Sequence, residues 1–432
     1  MNILDDLFER GLVADVSDRE GLGKLFAEGP VSFYCGYDPT ARSLHAGNLV
    51  PLSVAARLAR AGHRFIALVG GATGMVGDPS GKSSERKLLD EETLAQNVAG
   101  VRAQIQRFVA TDAVMADNYQ WFSPITFLDF LRQVGKHITV NYMLSKESVR
   151  ARLEDREQGI SYTEFSYMLL QGYDFVHLSR EHGCRLQIGG SDQWGNITCG
   201  IELHRKMGGP GNDPIFGLVS PLLLTSAGTK FGKSESGEAV WLDPRLTSPY
   251  QFYQYWLNTA DADVEKYLKM FTFVSLDEIG AIMAAHDPDR ARRQAQRRLA
   301  DEVTTWVHGP EATRRAVAVT QVLFGGAVAD LTDADLEPIM ADAPATDVPR
   351  AELETGVPLL DLLARTGIAE SKSEARRLVG QGGAYINNVR VDDPARVIGL
   401  GDLATETMIL LRGGKKKYRI VRASRAKLGE TS

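Results

Sequence analysis

The sequence has few of the features that would place a protein in a membrane or in an oxidising compartment. It contains three cysteines, Cys35, Cys184 and Cys199, which are odd in number and lack metal-ligand spacing. It has no apolar run of about 18 residues, the length that a membrane-spanning helix needs. Residues 1–6 lack the basic start and apolar stretch of a signal peptide. We therefore expect reduced thiols, no membrane partner and a cytoplasmic location.

Charge is distributed unevenly along a chain that is long enough for two to four domains. The 432 residues are 44% apolar, which allows a substantial core, and the net charge is −6. Residues 357–432 contain 14 Lys and Arg against 8 Asp and Glu, so the first 356 residues carry −12. This asymmetry favours a polyanionic partner for the C-terminal part, although charge alone is equally compatible with a solvated terminus.

Apolar patterns in the first part of the chain predict a parallel β-sheet. Residues 31–36 have the character of a short buried strand, residues 49–61 show helical apolar spacing, and residues 64–69 form a second apolar strand. A strand, a helix and a strand in this order make a βαβ unit, which implies parallel pairing. Residues 187–189 predict a later strand. We therefore expect an α/β fold with a Rossmann-like parallel sheet, whose ligands bind beyond the carboxyl ends of the strands.

The chain divides into four predicted segments. Residues 1–247 hold the sheet, and residues 248–325 have mostly helical patterns. Residues 326–356 are rich in Ala, Asp and Pro and are weakly periodic, so we expect a linker there. Residues 357–432 predict a small α+β unit with two amphipathic helices followed by short strands and a basic tail.

A first candidate phosphate site lies where a predicted strand joins a predicted helix, at residues 40–48. Free N–H groups and the helix dipole make such a helix start suitable for phosphate. His45 and Asn48 can donate hydrogen bonds to phosphate oxygens, and Gly47 leaves room for a nucleotide against the backbone. Taken alone, a histidine at this place is more often a capping or core residue.

A second candidate element is the segment KFGKS at Lys230–Ser234, which follows small residues at 226–229. Two lysines among small residues are typical of a mobile cationic loop. Such a loop suits the charge that develops on a departing pyrophosphate. Taken alone, this segment would most often be an exposed surface turn.

Together the two elements resemble the HIGH and KMSKS motifs of class I aminoacyl-tRNA synthetases. Further segments narrow the resemblance to tyrosyl-tRNA synthetases of the bacterial type, namely residues 34–40, 77–82, 167–174 and 187–194. The C-terminal unit is similar to an S4 RNA-binding domain, through residues 360–361, 371–376 and 382–387. The sequence departs from the family pattern at Asn48, the second histidine position of HIGH, and at Phe231-Gly232, where KMSKS has Met-Ser.

The resemblance implies a tyrosine–tRNA ligase. ATP would activate L-tyrosine to tyrosyl-adenylate with release of pyrophosphate, and the tyrosine would then pass to the 3′ end of tRNA(Tyr). Catalysis would be electrostatic and positional, without a covalent enzyme intermediate. Mg²⁺ would accompany ATP and pyrophosphate, and the protein itself would hold no metal site.

The resemblance also implies a role for each segment and a set of partners. Residues 1–247 would be the catalytic domain and carry the dimer contacts, and residues 248–325 would face the anticodon stem of the tRNA. Residues 357–432 would be the S4-like RNA-binding domain. The protein would be a homodimer without a DNA partner.

The resemblance assigns site residues to three groups. The catalytic group would be Thr40, His45, Asn48, Lys82, Arg86, Lys230, Lys233 and Ser234. The L-tyrosine site would be Tyr34, Asp78, Tyr167, Gln171, Asp174, Gln187 and Gln193. The ATP site would be Cys35, Gly36, Asp38, His45, Gly47, Asn48, Gly190, Asp192, Lys230 and Lys233. In the tyrosine site, Tyr34 and Asp174 would bind the substrate hydroxyl.

Three alternatives remain open at this point. A tryptophanyl-tRNA synthetase has the same two motifs, but the Tyr34–Asp174 pair and the S4-like unit argue against it. A small-molecule nucleotidyltransferase would have no use for that S4-like unit. A non-catalytic S4-type RNA-binding protein would not need to retain His45, Lys82 and the lysines of the KFGKS segment.

Overall fold

The computed structural model describes residues 2–80, 90–109, 113–154, 159–208, 213–234, 237–323, 326, 331–337, 344–414 and 417–424. The chain forms two compact units. The first unit comprises residues 1–247 and 255–307, and the second comprises residues 248–254 and 308–432. Within the described ranges, no helix combines the length and hydrophobicity that a membrane span requires.

A six-stranded sheet forms the centre of the first unit. Its strands, in chain order, are β1 (Asp15–Val16), β2 (Ser32–Tyr37), β3 (Arg64–Val69), β4 (Val114–Asp117), β5 (Cys184–Gly190) and β6 (Phe216–Ser220). They lie in the order β1-β6-β5-β2-β3-β4, and every pairing is parallel except that of β1 with β6. The predicted Rossmann-like α/β fold is confirmed, and the predicted βαβ unit corresponds to β2, the following helix and β3.

Helices cover this sheet and continue beyond it. The helices that precede residue 247 are α1 (Ile3–Glu9), α2 (Arg19–Glu28), α3 (Leu49–Arg60), α4 (Thr73–Val76), α5 (Glu91–Phe108), α6 (Tyr119–Phe122), α7 (Phe127–Gln133), α8 (Val140–Leu144), α9 (Glu147–Glu154), α10 (Tyr162–His182) and α11 (Trp194–Gly208). They are followed by α12 (Pro249–Leu257), α13 (Asp261–Phe271), α14 (Leu276–His286) and α15 (Gln294–His308).

Helix α10 shows how the sequence positions the site. The Ser161 hydroxyl caps its first turn by accepting from the Glu164 amide, and Gly183 ends it in the left-handed conformation with φ +59°. Between these ends, Tyr167, Gln171 and Asp174 follow one another at spacings of four and three residues. Such spacings put all three side chains on one face of the helix.

The second unit is an α+β structure, as predicted for the C-terminal part. Its helices are α16 (Pro310–Leu323), α17 (Asp333–Leu336), α18 (Arg350–Thr355), α19 (Leu359–Arg365) and α20 (Lys372–Gly380). Its strands are β7 (Ala345–Pro349), β8 (Val357–Pro358), β9 (Ala384–Ile386), β10 (Val389–Arg390), β11 (Val397–Ile398), β12 (Met408–Gly413) and β13 (Lys417–Ser424). The main sheet has the order β10-β9-β12-β13-β7, and β8 pairs with β11.

The segment that we expected to be a linker, residues 326–356, contains regular structure. Strand β7 pairs in parallel with β13, and α18 follows it directly. The sequence of β7, Ala-Thr-Asp-Val-Pro, has little strand character of its own. Its partner strand lies about 70 residues further along the chain, and pairing at such separations is invisible to local patterns. The predicted helical segment 248–325 is likewise shared between the two units. The functional domain boundaries remain predictions.

Candidate active site

The carboxyl ends of β2, β3 and β5 border a cavity of about 540 Å³ in the first unit. This is where ligands bind in parallel α/β sheets. The predicted site residues that line it are Tyr34, Cys35, Gly36, Asp38, Thr40, His45, Gly47, Asn48, Asp78, Tyr167, Gln171, Asp174, Gln187, Gly190, Asp192, Gln193 and Lys230. Lys233 and Ser234 are not part of its lining, and the predicted residues Lys82 and Arg86 fall outside the described residues.

Tyr34 and Asp174 line the cavity, and Asn118 and Trp121 bond to Asp174 from behind the lining; we call these four residues the hydroxyl recess. The Asp174 carboxylate is 1% exposed and accepts from Asn118 Nδ2 at 3.1 Å and from Trp121 Nε1 at 2.9 Å. Burial raises the pKa of Asp174 well above its usual value, while these two hydrogen bonds oppose the increase. The recess therefore offers a buried carboxylate whose orientation is held from two sides.

Tyr34 contributes an unsatisfied hydroxyl to the hydroxyl recess. Its ring is buried against Phe175, with centroids 5.2 Å apart, and its Oη has no hydrogen-bond partner among the atoms described. Burial, and then the nearby Asp174 carboxylate, raise the pKa of Tyr34 well above its usual value, so the phenol stays neutral. A buried hydroxyl without a partner costs free energy. Tyr34 and Asp174 thus present a donor and an acceptor to the same space.

Asn118 and Trp121, which orient Asp174, were not predicted from the sequence. Both lie after the carboxyl end of β4, and Asn118 also donates to Thr73 Oγ1 at 3.0 Å. Strand β4 is at the edge of the sheet, some 55 residues before Asp174 in the chain. The available sequence signal was only a polar and an aromatic residue after a short strand, which is too common to indicate a site.

A second cluster surrounds the buried Asp78 carboxylate. Asp78 Oδ1 accepts from the Ser80 amide at 2.9 Å, and Oδ2 accepts from Gln193 Nε2 at 2.7 Å. Asn196, which is 2% exposed, donates to Gln171 Oε1 at 3.1 Å and to Gln193 Oε1 at 3.2 Å. Asn196 was not predicted as a site residue. It lies three residues after Gln193, a spacing that puts both side chains on the same side of the helical backbone.

Asp38 lies with the predicted tyrosine-binding residues in this structure. Its carboxylate accepts from Tyr167 Oη at 2.8 Å and from Thr73 Oγ1 at 3.0 Å. Burial, together with the Asp38 and Asp78 carboxylates, raises the pKa of Tyr167 well above its usual value. Two carboxylates and neutral amides in one region suit a small cation such as an ammonium group. The sequence-based assignment of Asp38 to the ATP site remains a prediction.

His45 begins a short 3₁₀ helix, Ala46–Asn48, and also caps it. His45 Nδ1 accepts from the Gly47 amide at 3.0 Å, and Asn48 Oδ1 accepts from the His45 amide at 2.9 Å. The capping role considered from the sequence is therefore real. A neutral histidine whose Nδ1 accepts carries its proton on Nε2, the nitrogen that can donate to a phosphate oxygen. Asn48 replaces a histidine while closing the same turn.

The lysine segment packs against the start of the His45 helix through two glycines. Gly232 has φ +89°, and a Cβ there would lie 2.6 Å from the Gly47 backbone nitrogen. Only glycine meets both requirements, which gives the departure from Met-Ser a physical reason. The Val240 amide donates to Gly232 O at 3.0 Å, and Val240 O accepts from the Ala46 amide at 2.7 Å. Residues separated by almost 190 positions thus form one backbone network.

The two lysines of the KFGKS segment differ in their position relative to the cavity. Lys230 is exposed and lines the cavity, whereas Lys233 is exposed outside the lining. Ser234 donates its amide to Glu238 O at 2.7 Å. Cys35 lies between the two sides of the cavity, and burial raises the pKa of its thiol to about 12. The thiol is therefore protonated near neutral pH and unsuited to act as a nucleophile.

Comparisons with known proteins agree with this geometry. The family model of class I tRNA synthetases (W and Y) matches residues 27–325, and that of the tyrosine--tRNA ligase SYY-like C-terminal domain matches residues 340–421. A tyrosine--tRNA ligase from Opitutus terrae is 49% identical over 98% of this chain and 100% of its own length. One from Roseiflexus castenholzii is 51% identical over 97% of this chain and 99% of its own length.

A solved structure gives a similar result for the first part of the chain. The C-terminally truncated mitochondrial tyrosyl-tRNA synthetase of Aspergillus nidulans superimposes with a TM-score of 0.67 at 34% identity, covering 74% of this chain and 94% of its own. The family models, the full-length relatives and the fold all lead to the same assignment. The chain belongs to the tyrosyl-tRNA synthetase family of class I aminoacyl-tRNA synthetases.

Proposed function

We propose that this protein is a tyrosine–tRNA ligase that acts through the cavity described above. It condenses L-tyrosine with ATP to tyrosyl-adenylate and pyrophosphate, and then transfers the tyrosine to the 3′ end of tRNA(Tyr). The observation that carries the proposal is a single cavity that joins the hydroxyl recess to the His45 helix start and to Lys230. An amino acid with a phenol at one end and a nucleotide at the other fits this arrangement.

The hydroxyl recess favours tyrosine over tryptophan and phenylalanine. A phenol both donates and accepts, so it can donate to the Asp174 carboxylate and accept from Tyr34 Oη. The indole N–H of tryptophan only donates and would leave Tyr34 unpaired. Phenylalanine would leave both groups without the substrate's hydrogen bonds. Selectivity of this kind comes from the cost of buried polar groups left unpaired.

The opposite end of the amino-acid pocket suits the α-ammonium group. Asp78, Tyr167 and Gln171 line the cavity together, and Asp78 is held by Gln193 and by the Ser80 amide. An ammonium has three donors and prefers charged acceptors at short range. Holding the ammonium there and the phenol in the hydroxyl recess would leave the carboxylate directed towards the nucleotide side.

The chemistry at the nucleotide side needs donors rather than a nucleophilic side chain, because the carboxylate of tyrosine attacks the α-phosphate. In this proposal Thr40, His45 and Lys230 stabilise the charge that moves onto the pyrophosphate. Lys233 would help to offset that negative charge, as would Lys82 and Arg86, which fall outside the described residues. Cys35, Asn48, Gly190 and Asp192 would lie against the adenosine, together with Gly36 and Gly47.

Mg²⁺ would enter this site with ATP. Among the described residues, no group of three or more His, Cys, Asp or Glu side chains is placed to hold a metal ion. Mg²⁺ commonly binds through substrate phosphates and water with few protein ligands, so the side chains present are compatible with MgATP as the substrate. The ion would neutralise phosphate charge, while His45 and Lys230 orient the phosphate chain.

We also propose that the protein is a homodimer. Helices α7 and α8 expose a cluster of large apolar side chains in the first unit, namely Phe127, Leu128, Leu131, Val140 and Leu144. Phe127 and Leu128 are 63% and 70% exposed. Exposed large apolar side chains on neighbouring segments of the chain are typical of a protein interface, and a two-fold contact with a second copy would cover them.

The second unit is the proposed RNA-binding part. Arg376 and Arg377 are exposed on α20, within the segment that is similar to an S4 domain, and basic side chains at such a surface attract phosphates. The basic tail predicted after residue 411 falls partly outside the described residues. The three cysteines are buried and unbridged, which suits the cytoplasmic location that we propose.

The predicted helical segment contains five arginines within residues 290–298, which bear on its proposed anticodon-facing role. Arg290 and Arg292 form ion pairs with Asp287 and Asp289, at 2.7 and 2.8 Å. Much of the local charge is therefore neutralised within the segment. An anticodon-facing role for residues 248–325 stays a proposal that the charge pattern does not by itself favour.

Pyrophosphate exchange is the direct test of the reaction. Exchange of labelled pyrophosphate into ATP should depend on L-tyrosine, with tryptophan and phenylalanine as matched comparisons at equal concentration. Exchange driven by tryptophan would contradict the assignment. Charging of tRNA(Tyr) with labelled tyrosine then tests the second step, and exchange without charging would limit the protein to adenylate formation.

A further inference from the structure

The lysine loop, which we define as residues 223–234, is a short hairpin with a fixed base. Leu224 pairs with Lys230, the Phe231 amide donates to Leu223 O at 3.0 Å, and the Thr225 amide donates to Thr229 O at 2.8 Å. The turn at its tip is exposed. A small exposed hairpin has little intrinsic stability, so contacts from outside it must determine where Lys230 lies.

The first outside contact is the carboxylate of Asp263. This side chain lies in the first turn of α13 and is only 7% exposed. Its Oδ2 accepts both from the Ser226 amide at 2.9 Å and from Ser226 Oγ at 2.8 Å. Hydrogen bonds to an ionised acceptor are stronger than neutral ones. A buried carboxylate that bonds to the tip of the lysine loop has no part in the reaction as proposed so far.

The second outside contact is the phenol of Tyr255, on the other side of Lys230. Tyr255 Oη accepts from the Gly232 amide at 3.1 Å. Burial raises the pKa of Tyr255 to about 12, so this group is a neutral phenol near pH 7. Gly232 is the residue whose backbone lies against Gly47, so Tyr255 contacts the loop where it touches the His45 helix start.

An aromatic cluster completes the attachment between these two contacts. The ring of Phe231 is 4% exposed and stacks on Phe271 at 5.1 Å and 11°. Tyr267 lies 5.1 Å from Phe231, and Trp256 lies 5.8 Å from it. Phe231 is thus an apolar anchor next to the lysine, which gives the phenylalanine in KFGKS a role that the methionine of the family pattern could share.

We infer that Asp263 and Tyr255 are positioning residues that hold the lysine loop against the His45 helix start and thereby set how often Lys230 meets the pyrophosphate. The inference rests on the proposed function. Ser226 lies four residues before Lys230 and Gly232 lies two residues after it, so both flanks are attached to α12 and α13. The Lys230 ammonium stabilises the transition state fully only when it is already positioned at the pyrophosphate before the bond breaks. Removing the contact at either flank lowers the fraction of molecules whose lysine loop lies against the His45 helix start. The rate of adenylate formation falls with that fraction.

The test compares Asp263→Ala, Asp263→Asn, Tyr255→Phe and Ser226→Ala by tyrosine-dependent pyrophosphate exchange. Asp263→Ala should lower kcat by about tenfold with KM for tyrosine unchanged, because the amino-acid pocket is untouched. Asp263→Asn, whose amide oxygen can still accept, should recover most of the rate. Ser226→Ala, which removes the hydroxyl bond and keeps the amide bond, should slow the wild-type protein less than Asp263→Ala does. It should have no further effect in the Asp263→Ala background, since the acceptor of that bond is already gone.

The matched control is Glu265→Gln, which removes a carboxylate from the same helix. Glu265 is half-exposed and pairs with Lys269 at 2.6 Å, whereas the loop's Ser226 and Gly232 bond to Asp263 and Tyr255. Its kinetics should equal those of the wild type. An equal loss in Glu265→Gln and Asp263→Ala, or additive effects of Ser226→Ala and Asp263→Ala, would overturn the inference, because either result indicates a general structural effect.

Hydrogen–deuterium exchange separates this inference from the proposed function. The amides of Ser226 and Gly232 should exchange faster in Asp263→Ala and in Tyr255→Phe respectively, whatever substrate the protein uses. A wild-type protein without tyrosine-dependent exchange would refute the proposed function. Normal wild-type kinetics with unchanged kinetics in Asp263→Ala would refute the positioning role alone.

Discussion

Replacing Tyr34 by phenylalanine should have opposite effects on stability and on tyrosine binding. In the free protein the Tyr34 hydroxyl is buried and has no partner among the described atoms, so removing it relieves an unsatisfied group. We expect the free energy of unfolding to stay constant or to rise by up to about 1 kcal/mol. The same change removes one neutral hydrogen bond to the substrate phenol, which contributes about 0.5–1.5 kcal/mol. KM for tyrosine in pyrophosphate exchange should therefore increase about two- to twelvefold.

The chain offers a matched control for this change on the same strand. Tyr37 Oη is also buried, with the weakly hydrogen-bonding thiol of Cys35 beside it, and Tyr37 also lines the cavity, but it is not part of the hydroxyl recess. Tyr37→Phe should reproduce the effect on thermal unfolding and leave the ratio of tyrosine to phenylalanine exchange unchanged. Phenylalanine-dependent exchange should be the same in Tyr34→Phe as in the wild type, because phenylalanine has no hydroxyl to lose. A constant selectivity ratio in Tyr34→Phe would show that Tyr34 does not face the substrate hydroxyl.

Three further predictions concern the nucleotide side and the second unit. His45→Gly should slow adenylate formation in a single-turnover assay without changing tyrosine binding, and an unchanged rate would remove His45 from the mechanism. Gly232→Ala should slow pyrophosphate exchange, because a Cβ would lie 2.6 Å from the Gly47 nitrogen and the backbone has φ +89°. We expect a loss of at least about 1 kcal/mol in transition-state stabilisation. Wild-type kinetics in this variant would argue against contact between the KFGKS segment and the His45 helix start. The double variant Arg376→Glu and Arg377→Glu should leave pyrophosphate exchange unchanged and weaken tRNA charging. Charging by this variant should also depend less on salt concentration, because fewer phosphate contacts remain. Equal loss of both activities would contradict a separate RNA-binding role.

Much of the candidate site was predictable because its residues lie in short segments at strand ends and at helix starts. Tyr34 and Gln187 lie in strands β2 and β5, His45 lies at the helix start that follows β2, and Asp78 follows α4. The family comparison confirmed the resemblance that these segments indicated. The assigned roles of the individual residues remain proposals, since the geometry brings them together without a substrate.

The residues that hold those groups in place were not predictable in the same way. Asn118 and Trp121 reach Asp174 from the edge strand β4, and Asn196 reaches Gln171 from another helix. None of these residue types at these spacings is unusual. Their function depends on contacts between elements that are distant in sequence, which local patterns do not contain.

The KFGKS segment shows which properties of the site follow from local sequence and which follow from tertiary contacts. Its composition indicated a cationic loop, and its glycine departed from the family pattern without an evident reason. The tertiary structure supplied the reason, because Gly232 packs against Gly47 and Phe231 occupies an aromatic cluster on α12 and α13. Local sequence determined the chemistry that each segment can offer, through charge, hydrogen-bonding groups and backbone freedom. Only the folded chain decided which of those groups meet, because burial and close approach depend on neighbours that the chain brings together from afar.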